Sequence, residues 1–411
     1  MESGQINGRD FVDQTEEIYS ANSNGASSKN KEAPPIALYL IFLVIIIAIV
    51  FFFVKFGKTG FDVFGNQSVN ASLAPTTITT TVSQIQSAPS SAELSLKSWS
   101  TTTPLPIPSN KMLFEPICVA YMKTIYCAVQ IGDENATVKE FYAPIIADGI
   151  GEWNAGSILP FVPDSCFAAN SIIYCTGGLR STYTNASYYS TISSSNVPGP
   201  WLPTSAFPLN ISEVDCTDSG SYVYCSGAYN AASANNIKYN SSYYAQLSNM
   251  GIGNWHKTTP YPLKGAGKSC DAYGNYIYCL GGNLLPSLAP TSFDYYAPLF
   301  ATGIGAWHET TTPFEKNSSI STALLVLGQS CVAYDSYIYC IGGQNASLAS
   351  VQYSTYSAKL SSSGISNWSV NSPYGFNTYN QSCVAADGQI ICVGGRNSNS
   401  GHINNSTIYA N

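Results

Sequence analysis

Residues 331–343 read CVAYDSYIYCIGG, in which two cysteines enclose eight residues and two glycines follow closely. Cysteines at this spacing are compatible with a disulfide, with half of a metal site, or with a redox pair. The central Asp335-Ser336 favours a two-residue hairpin turn, which places Cys331 directly opposite Cys340. Counting out from the turn, this is a non-hydrogen-bonded pair, whose facing Cα atoms approach to ~4.5 Å, within the range of a disulfide. The stretch therefore predicts a hairpin that a disulfide can close.

The same spacing occurs in six pairs of cysteines, which account for all twelve in the chain: Cys118/Cys127, Cys166/Cys175, Cys216/Cys225, Cys270/Cys279, Cys331/Cys340 and Cys383/Cys392. Structural disulfides are the favoured interpretation, and free buried thiols are the main alternative. A metal or redox site is disfavoured, because zinc ligands usually lie two to four residues apart and one hairpin supplies only half of a site. In the chain-entropy model each loop of about ten residues contributes roughly 2.7 kcal/mol, and six reach ~16 kcal/mol as an upper bound.

Further features recur with the cysteines. A Gly-Gly pair follows the second cysteine in four units, weakens to Gly227-Ala228 in the third, and is replaced by Val129-Gln130 in the first. Each unit then has a tyrosine before a small residue: Tyr142, Tyr189, Tyr244, Tyr296, Tyr356 and Tyr409. Eleven or twelve residues after the first five of these comes a tryptophan: Trp153, Trp201, Trp255, Trp307 and Trp368. A period of about 50 residues with strand-like composition predicts propeller blades of four antiparallel strands.

The sixth tryptophan, Trp99, precedes the first cysteine pair. It precedes Cys118, with prolines between them, as Trp255 precedes Cys270, and no tryptophan follows Tyr409. We therefore expect the strand around Leu94–Thr102 to complete the last blade, which closes the ring and leaves no free sheet edge. The predicted fold class is all-β, a six-bladed propeller over residues 93–411 that is closed by an N-terminal strand.

The phased Gly-Gly, tyrosine and tryptophan pattern resembles the kelch repeat over roughly three quarters of the chain. The resemblance implies that the glycines end the second strand of a blade. It also implies that Tyr296, Trp307 and their equivalents pack between blades and do not contact a ligand. Kelch domains are typically intracellular and lack blade disulfides, so their known partners, ubiquitin-ligase components and actin, are not carried over to this chain.

The N-terminal region predicts a membrane anchor. Residues 36–54 read IALYLIFLVIIIAIVFFFV, 19 residues without a charge, proline or glycine. A helix of that length measures about 28 Å, close to the ~30 Å core of a bilayer. We expect a cytoplasmic disordered tail at 1–35, one transmembrane helix at 36–54, and a Ser/Thr/Pro-rich stalk at 55–92. The lysines flanking the span are balanced and do not orient it.

Two other features orient the chain. All the cysteines follow the span, and so do all twelve Asn-X-Ser/Thr sequons, which are candidate glycosylation sites: Asn66, Asn70, Asn135, Asn185, Asn210, Asn240, Asn317, Asn345, Asn367, Asn380, Asn404 and Asn405. Disulfides and N-glycans belong to oxidising, extracytoplasmic compartments. The expected localisation is a cell, host or virion membrane, crossed once, with the N-terminus cytoplasmic and the C-terminal domain extracytoplasmic.

Composition excludes some functions. Only 10% of residues are charged and the net charge is −7, which argues against a nucleic-acid partner because phosphate binding needs clustered Lys and Arg. No Ser-His-Asp set, zinc-protease motif or phosphate loop occurs, and no cofactor, metal or catalytic residue is predicted. Of the three histidines, His256 and His308 follow tryptophans and are interpreted as surface residues of the repeat; the third is His402.

A sialidase-like, glycan-processing hydrolase is the enzymatic alternative. The tail, anchor, stalk and six-bladed head resemble those of viral neuraminidases, but sialidases bind the substrate carboxylate with three arginines. The region after the span has two, Arg180 and Arg396. Glu152, Glu309 and Asp294 are among the few acids, and no sequence feature pairs them.

The expected function is therefore binding of a protein or a glycan through propeller loops, in attachment, recognition or surface assembly, without enzymatic activity. The Tyr- and Asn-rich loops after the Gly-Gly pairs, such as LRSTYTNASYY at 179–189, are candidate contacts. A purely structural envelope component is a further alternative. Because carboxylates are few, we expect stability to depend little on pH, which suits an archaeal or archaeal-virus surface protein from an acidic or hot habitat.

Overall fold

The computed structural model describes residues 93–94, 96–107, 116–132, 137–178, 182–227, 240–284, 289–290, 293–312, 328–343, 355–375, 378–397 and 407–410. All regular elements in these ranges are β-strands. Within the same ranges no helix is long and apolar enough to span a membrane. The predicted tail, transmembrane helix and stalk at residues 1–35, 36–54 and 55–92 lie outside the described residues.

The strands form a six-bladed β-propeller. Blade 1 contains β2 (Ile117–Tyr121), β3 (Thr124–Gln130), β4 (Val138–Ile146), β5 (Gly149–Ile150) and β6 (Asn154–Leu159). Blade 2 contains β7 (Ser165–Ala169), β8 (Ile172–Thr176), β9 (Ser187–Thr191) and β10 (Leu202–Pro203). Blade 3 contains β11 (Asp215–Ser219), β12 (Tyr222–Ser226), β13 (Ser242–Ser248), β14 (Gly251–Ile252) and β15 (His256–Thr258).

The other three blades repeat this antiparallel order. Blade 4 contains β17 (Ser269–Tyr273), β18 (Tyr276–Leu280), β21 (Asp294–Phe300), β22 (Gly303–Ile304) and β23 (His308–Thr310). Blade 5 contains β24 (Ser330–Tyr334), β25 (Tyr337–Ile341), β26 (Thr355–Ser361), β27 (Gly364–Ile365) and β28 (Ser369–Asn371). Blade 6 contains β30 (Ser382–Ala386), β31 (Gln389–Val393), β33 (Thr407–Ala410) and the N-terminal β1 (Ser100–Thr102). Short strands outside the blades are β16 (Gly265–Ala266), β19 (Asn283–Leu284), β20 (Ala289–Pro290), β29 (Thr378–Tyr379) and β32 (Arg396–Asn397).

The first two strands of every blade form the predicted hairpin. In blade 5, Cys331 lies opposite Cys340, and Asp335 and Ser336 both have positive φ, 45° and 69°, as a tight hairpin turn requires. Each hairpin contains its own disulfide, with Cα–Cα distances of 4.0–4.1 Å: Cys118–Cys127, Cys166–Cys175, Cys216–Cys225, Cys270–Cys279, Cys331–Cys340 and Cys383–Cys392. No cysteine is free, so the predicted disulfides are confirmed.

The ring closes as the position of Trp99 predicts. Strand β1 pairs with β33 antiparallel, with Thr101 opposite Ile408. The Thr102 hydroxyl accepts a hydrogen bond from the Ile150 amide of blade 1 at 3.0 Å. Thr204 makes the same bond to Ile252 between blades 2 and 3, at 2.7 Å. The closing strand therefore joins blades 6 and 1 by the same threonine-to-isoleucine hydrogen bond that joins blades 2 and 3.

The core is divided among the six junctions between blades. The described residues form six apolar clusters, and each combines residues of two successive blades. Tyrosines that precede the second cysteine cross these junctions: the Tyr174 hydroxyl, for example, donates to the Ser248 carbonyl at 3.1 Å. Burial raises the pKa of Tyr174 to about 12, so this phenol remains a hydrogen-bond donor at ordinary pH.

The two ends of the propeller differ. The first strands of the blades surround a central channel. Because strands alternate in direction, the hairpin turns and the turns after the third strands share one end, which we call the turn face. The connections between second and third strands, and between successive blades, share the other end, the loop face. The Leu94 amide bonds the Tyr339 hydroxyl, which places the start of the propeller beside blade 5 at the turn face.

Candidate ligand-binding site in the central channel

A central channel runs between the first strands of the blades. It has a volume of about 660 Å³ and is lined by the first strands of all six blades and the residues just before them. Ligand sites in proteins typically measure about 300–1,000 Å³. The channel is therefore large enough for a small molecule or for the end of a longer ligand.

The two cysteines of a hairpin lie differently with respect to this channel. The first cysteine of every pair is on a strand that lines it. The second cysteines are on the buried second strands and do not line it; in blades 3 to 6 they are at most 2% exposed, and they are Cys225, Cys279, Cys340 and Cys392. These four residues are therefore disulfide partners that belong to the core of their blades, and the candidate ligand site does not include them.

Side chains immediately before the first cysteine hold neighbouring blades together. The Ser165 hydroxyl accepts from the Cys216 amide at 3.0 Å, and Ser330 accepts from Cys383 at 3.0 Å. Ser269 and Ser382 make the equivalent bonds, and the Asp215 carboxylate takes this place in blade 3. In blade 1 the position is Ile117, which has no hydrogen-bonding side chain. These polar groups are structural, so a ligand has to be recognised elsewhere.

One residue earlier lies a ring at the loop-face end of the channel. We call it the mouth ring; in blade order its residues are Pro116, Asp164, Val214, Lys268, Gln329 and Gln381. Its polar side chains are buried or partly buried, and Lys268, Gln329 and Gln381 are 7%, 8% and 5% exposed.

Two members of the mouth ring bond the preceding blade. The Lys268 amine donates to the Ser226 carbonyl at 2.7 Å, and the Gln381 amide donates to the Ile341 carbonyl at 2.6 Å. Gln329 differs: neither its amide nitrogen nor its amide oxygen has a partner in the described part of the chain, and the Gln381 oxygen has none there either. A buried polar group without a partner costs about 1–3 kcal/mol, so Gln329 is the side chain that a ligand would best satisfy.

Carboxylates gather on one side of the channel, in blades 2–4: Asp164, Glu213, Asp215, Asp218 and Asp271. Burial raises the pKa of Asp215 to about 7, against the opposing effect of the Cys270 amide and Lys268. Burial and the nearby Asp271 likewise raise the pKa of Asp218 to about 7. This side of the channel therefore changes its charge near neutral pH.

Lys268 has a charge of the opposite sign in the same region. Burial lowers its pKa to about 8, although Asp215 and Glu213 favour its charged form. Its amine also lies 5.0 Å from the centre of the Tyr261 ring, a cation–π geometry. The mouth ring thus presents ammonium and amide donors in blades 4–6 and a carboxylate, Asp164, in blade 2.

The Asp271 carboxylate is fully used in joining blades. One oxygen accepts from the Thr217 hydroxyl and the Ala272 amide, at 3.2 and 2.8 Å. The other accepts from the Ala333 amide of blade 5 at 2.7 Å. Asp218 occupies a position that is alanine in the other five blades. It lines the channel near its turn-face end.

The acids considered for a catalytic pair are not brought together. Glu152 is exposed in blade 1, whereas Asp294 is buried and Glu309 exposed in blade 4. Asp294 accepts a hydrogen bond from the Gly281 amide at 2.8 Å, and burial raises its pKa to about 7. In the described part of the chain no group of three or more His, Cys, Asp or Glu is placed to hold a metal ion.

The repeat-borne aromatic residues behave as interpreted from sequence. His256 and His308 are exposed on outer strands, 5.4 Å from the Tyr244 and Tyr296 rings. Trp307 packs edge-on against Tyr261, with ring centres 5.0 Å apart. His402 and residues 179–181, which include Arg180 and begin the predicted contact loop at 179–189, lie outside the described residues, whereas 182–189 are described.

Five sequon asparagines lie in described segments. Asn210 and Asn367 are exposed, and Asn185, Asn240 and Asn380 are partly buried. The side-chain nitrogen of Asn240, the atom that a glycan would modify, donates to the Tyr261 carbonyl at 3.1 Å. Asn210 and Asn367 are thus the more accessible candidates, and all twelve sites remain predictions.

Sequence reasoning did not find the mouth ring. Its members share no residue type and come from segments about 50 residues apart. The available signal was positional: alignment of the six units on their first cysteine brings Asp164, Lys268, Gln329 and Gln381 into one column, although it does not show which amide lacks a partner.

Comparison with known proteins is informative about the fold. No family profile matches the chain, and no curated protein matches it. Among solved structures it is similar to the one titled "Structure of YjhT", with a TM-score of 0.56 and 13% sequence identity over 75% of this chain and 96% of that chain. At this identity the similarity supports the six-bladed propeller fold and nothing more specific.

Proposed function

We propose that this protein is a single-pass, extracytoplasmic surface protein whose propeller binds a protein or glycan ligand at its loop face. The observation that carries this proposal is the mouth ring. Gln329 is buried at the loop-face end of a 660 Å³ channel and has no described partner. The first described residues of the propeller lie at the opposite, turn face.

The disulfides support the proposed compartment. All twelve cysteines are paired, and such a number of structural disulfides is typical of oxidising compartments. The apolar segment at residues 36–54 supports the membrane anchor. Together they support attachment, recognition or surface assembly, at a cell, host or virion membrane, as the setting in which the propeller acts.

We also infer that the blades are divergent kelch repeats. Supporting this, the Gly-Gly glycines follow the second strands with positive φ, for example 69° and 126° at Gly177 and Gly178. A Cβ at Gly178 would lie 1.8 Å from the Val162 carbonyl oxygen, so no larger residue fits there. The tyrosines and tryptophans pack at blade junctions as the kelch resemblance implies.

Binding is favoured over catalysis because several channel carboxylates are structural. Asp215 and Asp271 accept backbone hydrogen bonds from the following blade, and so they hold the ring. A glycan-processing enzyme remains the alternative function, which measurable hydrolysis of a bound glycan would favour.

The experiment has two parts, both on the full-length chain. Membrane vesicles from expressing cells are treated with protease from outside, and the surviving fragments are mapped under non-reducing conditions. Location of residues 93–411 on the cytoplasmic side, or disulfides between different blades, would overturn the proposal.

In the second part the purified protein is applied to a glycan array and to candidate host or envelope surfaces. Self-assembly without any ligand would instead favour a purely structural component.

A further inference from the structure

We infer that the mouth ring binds an uncharged, hydroxyl-rich sugar residue and discriminates against acidic sugars. The inference rests on the proposed function, because it names the ligand class for the same end of the propeller. It uses described side chains only, and it does not depend on the connecting loops of the loop face.

The ring offers hydrogen-bond donors and acceptors on opposite sides. Lys268, Gln329 and Gln381 lie in the consecutive blades 4, 5 and 6. Asp164 in blade 2 faces blade 5 across the six-fold ring, and its Oδ1 accepts from the Ser212 hydroxyl at 3.2 Å. Burial and the charge of Glu213 raise the pKa of Asp164 well above its ordinary value. A ligand between these sides has to form hydrogen bonds with the Asp164 carboxyl group on one side and with both the N–H and C=O groups of the amides on the other.

Hydroxyl groups satisfy both requirements, because each is a donor and an acceptor. An unpartnered amide such as Gln329 can accept from one hydroxyl and donate to the next, which suits the neighbouring hydroxyls of a sugar ring. Its counterpart Gln381 already donates one N–H to the Ile341 carbonyl, and only its oxygen lacks a partner among the described residues. Gln329 is therefore expected to make the strongest ligand contact.

The charges of the site disfavour ionic ligands. An anionic sugar would lose its hydration beside Asp215, which repels it once ionised above about pH 7, and one lysine, Lys268, opposes that repulsion. A cationic ligand would meet Lys268, which is buried at the same depth. An uncharged ligand avoids both conflicts.

The test measures binding of the full-length protein to immobilised glycans ending in neutral hexose or N-acetylhexosamine, to sialylated and sulfated glycans, and to a polyamine probe. Gln329→Leu removes the amide at nearly constant volume, and Gln329→Glu serves if the leucine variant does not fold. Gln246→Leu is the matched control, because Gln246 is exposed on the third strand of blade 3. Near-UV circular dichroism verifies the fold of each variant.

We expect wild type and Gln246→Leu to bind neutral glycans equally, and Gln329→Leu to bind roughly tenfold or more weakly, as for a lost buried hydrogen bond. Preference for acidic glycans or for the polyamine would overturn the inference. Equal binding of neutral glycans by Gln329→Leu would also overturn it, yet would leave glycan binding at the loop face intact. Binding of a protein surface without any glycan would reject the sugar and keep the proposed function. Absence of both would reject both.

Discussion

The closing strand β1 provides the sharpest test of the fold. Thr102→Val keeps the side-chain shape and removes the hydroxyl that accepts from the Ile150 amide at 3.0 Å. Ile150 is 1% exposed, so its amide loses its partner without gaining water. The Ile150 carbonyl retains a second donor, the Thr103 hydroxyl at 3.0 Å. The effect of the substitution is therefore confined to one buried donor.

The expected cost is about 1–3 kcal/mol, the penalty for a buried, unsatisfied donor. For a propeller of about 320 residues the unfolding entropy is roughly 0.7 kcal/mol per degree, so the melting temperature should fall by about 1.5–4.5 °C. The assay is thermal unfolding of the oxidised full-length protein in mild detergent, followed by near-UV circular dichroism.

Two controls accompany this measurement. Thr204→Val breaks the equivalent bond inside the ring, 2.7 Å to the Ile252 amide, and should cost a similar amount. Thr101→Val changes an exposed residue of the same strand and should change the melting temperature by less than about 1 °C. If Thr102→Val behaves like Thr101→Val while Thr204→Val destabilises, β1 contributes little to closure and the reasoning is refuted.

Three further predictions concern other junctions and turns. Ser330→Ala removes the acceptor of the Cys383 amide, 3.0 Å away, and should destabilise the protein by about 1–2 kcal/mol in denaturant unfolding. Met122 has a φ of 52° and is 68% exposed. Met122→Gly should therefore relieve backbone strain and stabilise the protein by about 0.5–1 kcal/mol. Its control is Met250→Gly, which changes a turn residue without positive φ and should not stabilise the protein. Burial raises the pKa of Glu140 from 4.5 to about 7. Between these two pH values the unfolded state releases the proton and the folded state keeps it, so the free energy of unfolding should fall as pH rises from about 4.5 to 7. Glu140→Gln should flatten that dependence in melting curves recorded across this range.

Each of these has an outcome that contradicts it. An unchanged denaturation midpoint for Ser330→Ala would show that the junction bond is dispensable. Stabilisation by Met250→Gly as large as that by Met122→Gly would assign the gain to something other than φ. A melting temperature that rises from pH 4.5 to 7, or the same pH profile for Glu140→Gln and wild type, would show that Glu140 does not cause the dependence of stability on pH.

The hairpins and the ring closure could be predicted because both can be recognised from residue spacings within one repeat unit. A two-residue turn with the same number of residues on each side determines the pairing of Cys331 with Cys340. Trp99, the one tryptophan that does not follow a repeat tyrosine, identifies the strand that completes blade 6. The Trp99 indole donates to the Ser372 carbonyl at 3.2 Å, as Trp153 does to Thr103 at 3.0 Å. The kelch repeat, the anchor and the glycans remain predictions.

The candidate site could not be predicted in the same way, because it depends on contacts between distant blades. Gln329 and Gln381 are the same residue type at the same repeat position, yet Gln381 bonds the preceding blade and Gln329 has no partner among the described residues. The pH expectation changes for the same reason. Few carboxylates suggest a weak dependence on pH, but burial of Glu140, Asp215 and Asp294 predicts greater stability in acid than at neutral pH, a direction that suits the acidic habitat considered from the sequence.

The disulfides have a consequence for how the protein is made. Every one links residues nine positions apart, so a hairpin can be oxidised as soon as its own short segment has reached an oxidising compartment, whatever the state of the other blades. The last blade is different: β1 is synthesised before every other strand of the propeller and has to wait for β33, which is synthesised last. Oxidation can thus proceed blade by blade, while joining of the ring is a single late event that no disulfide secures.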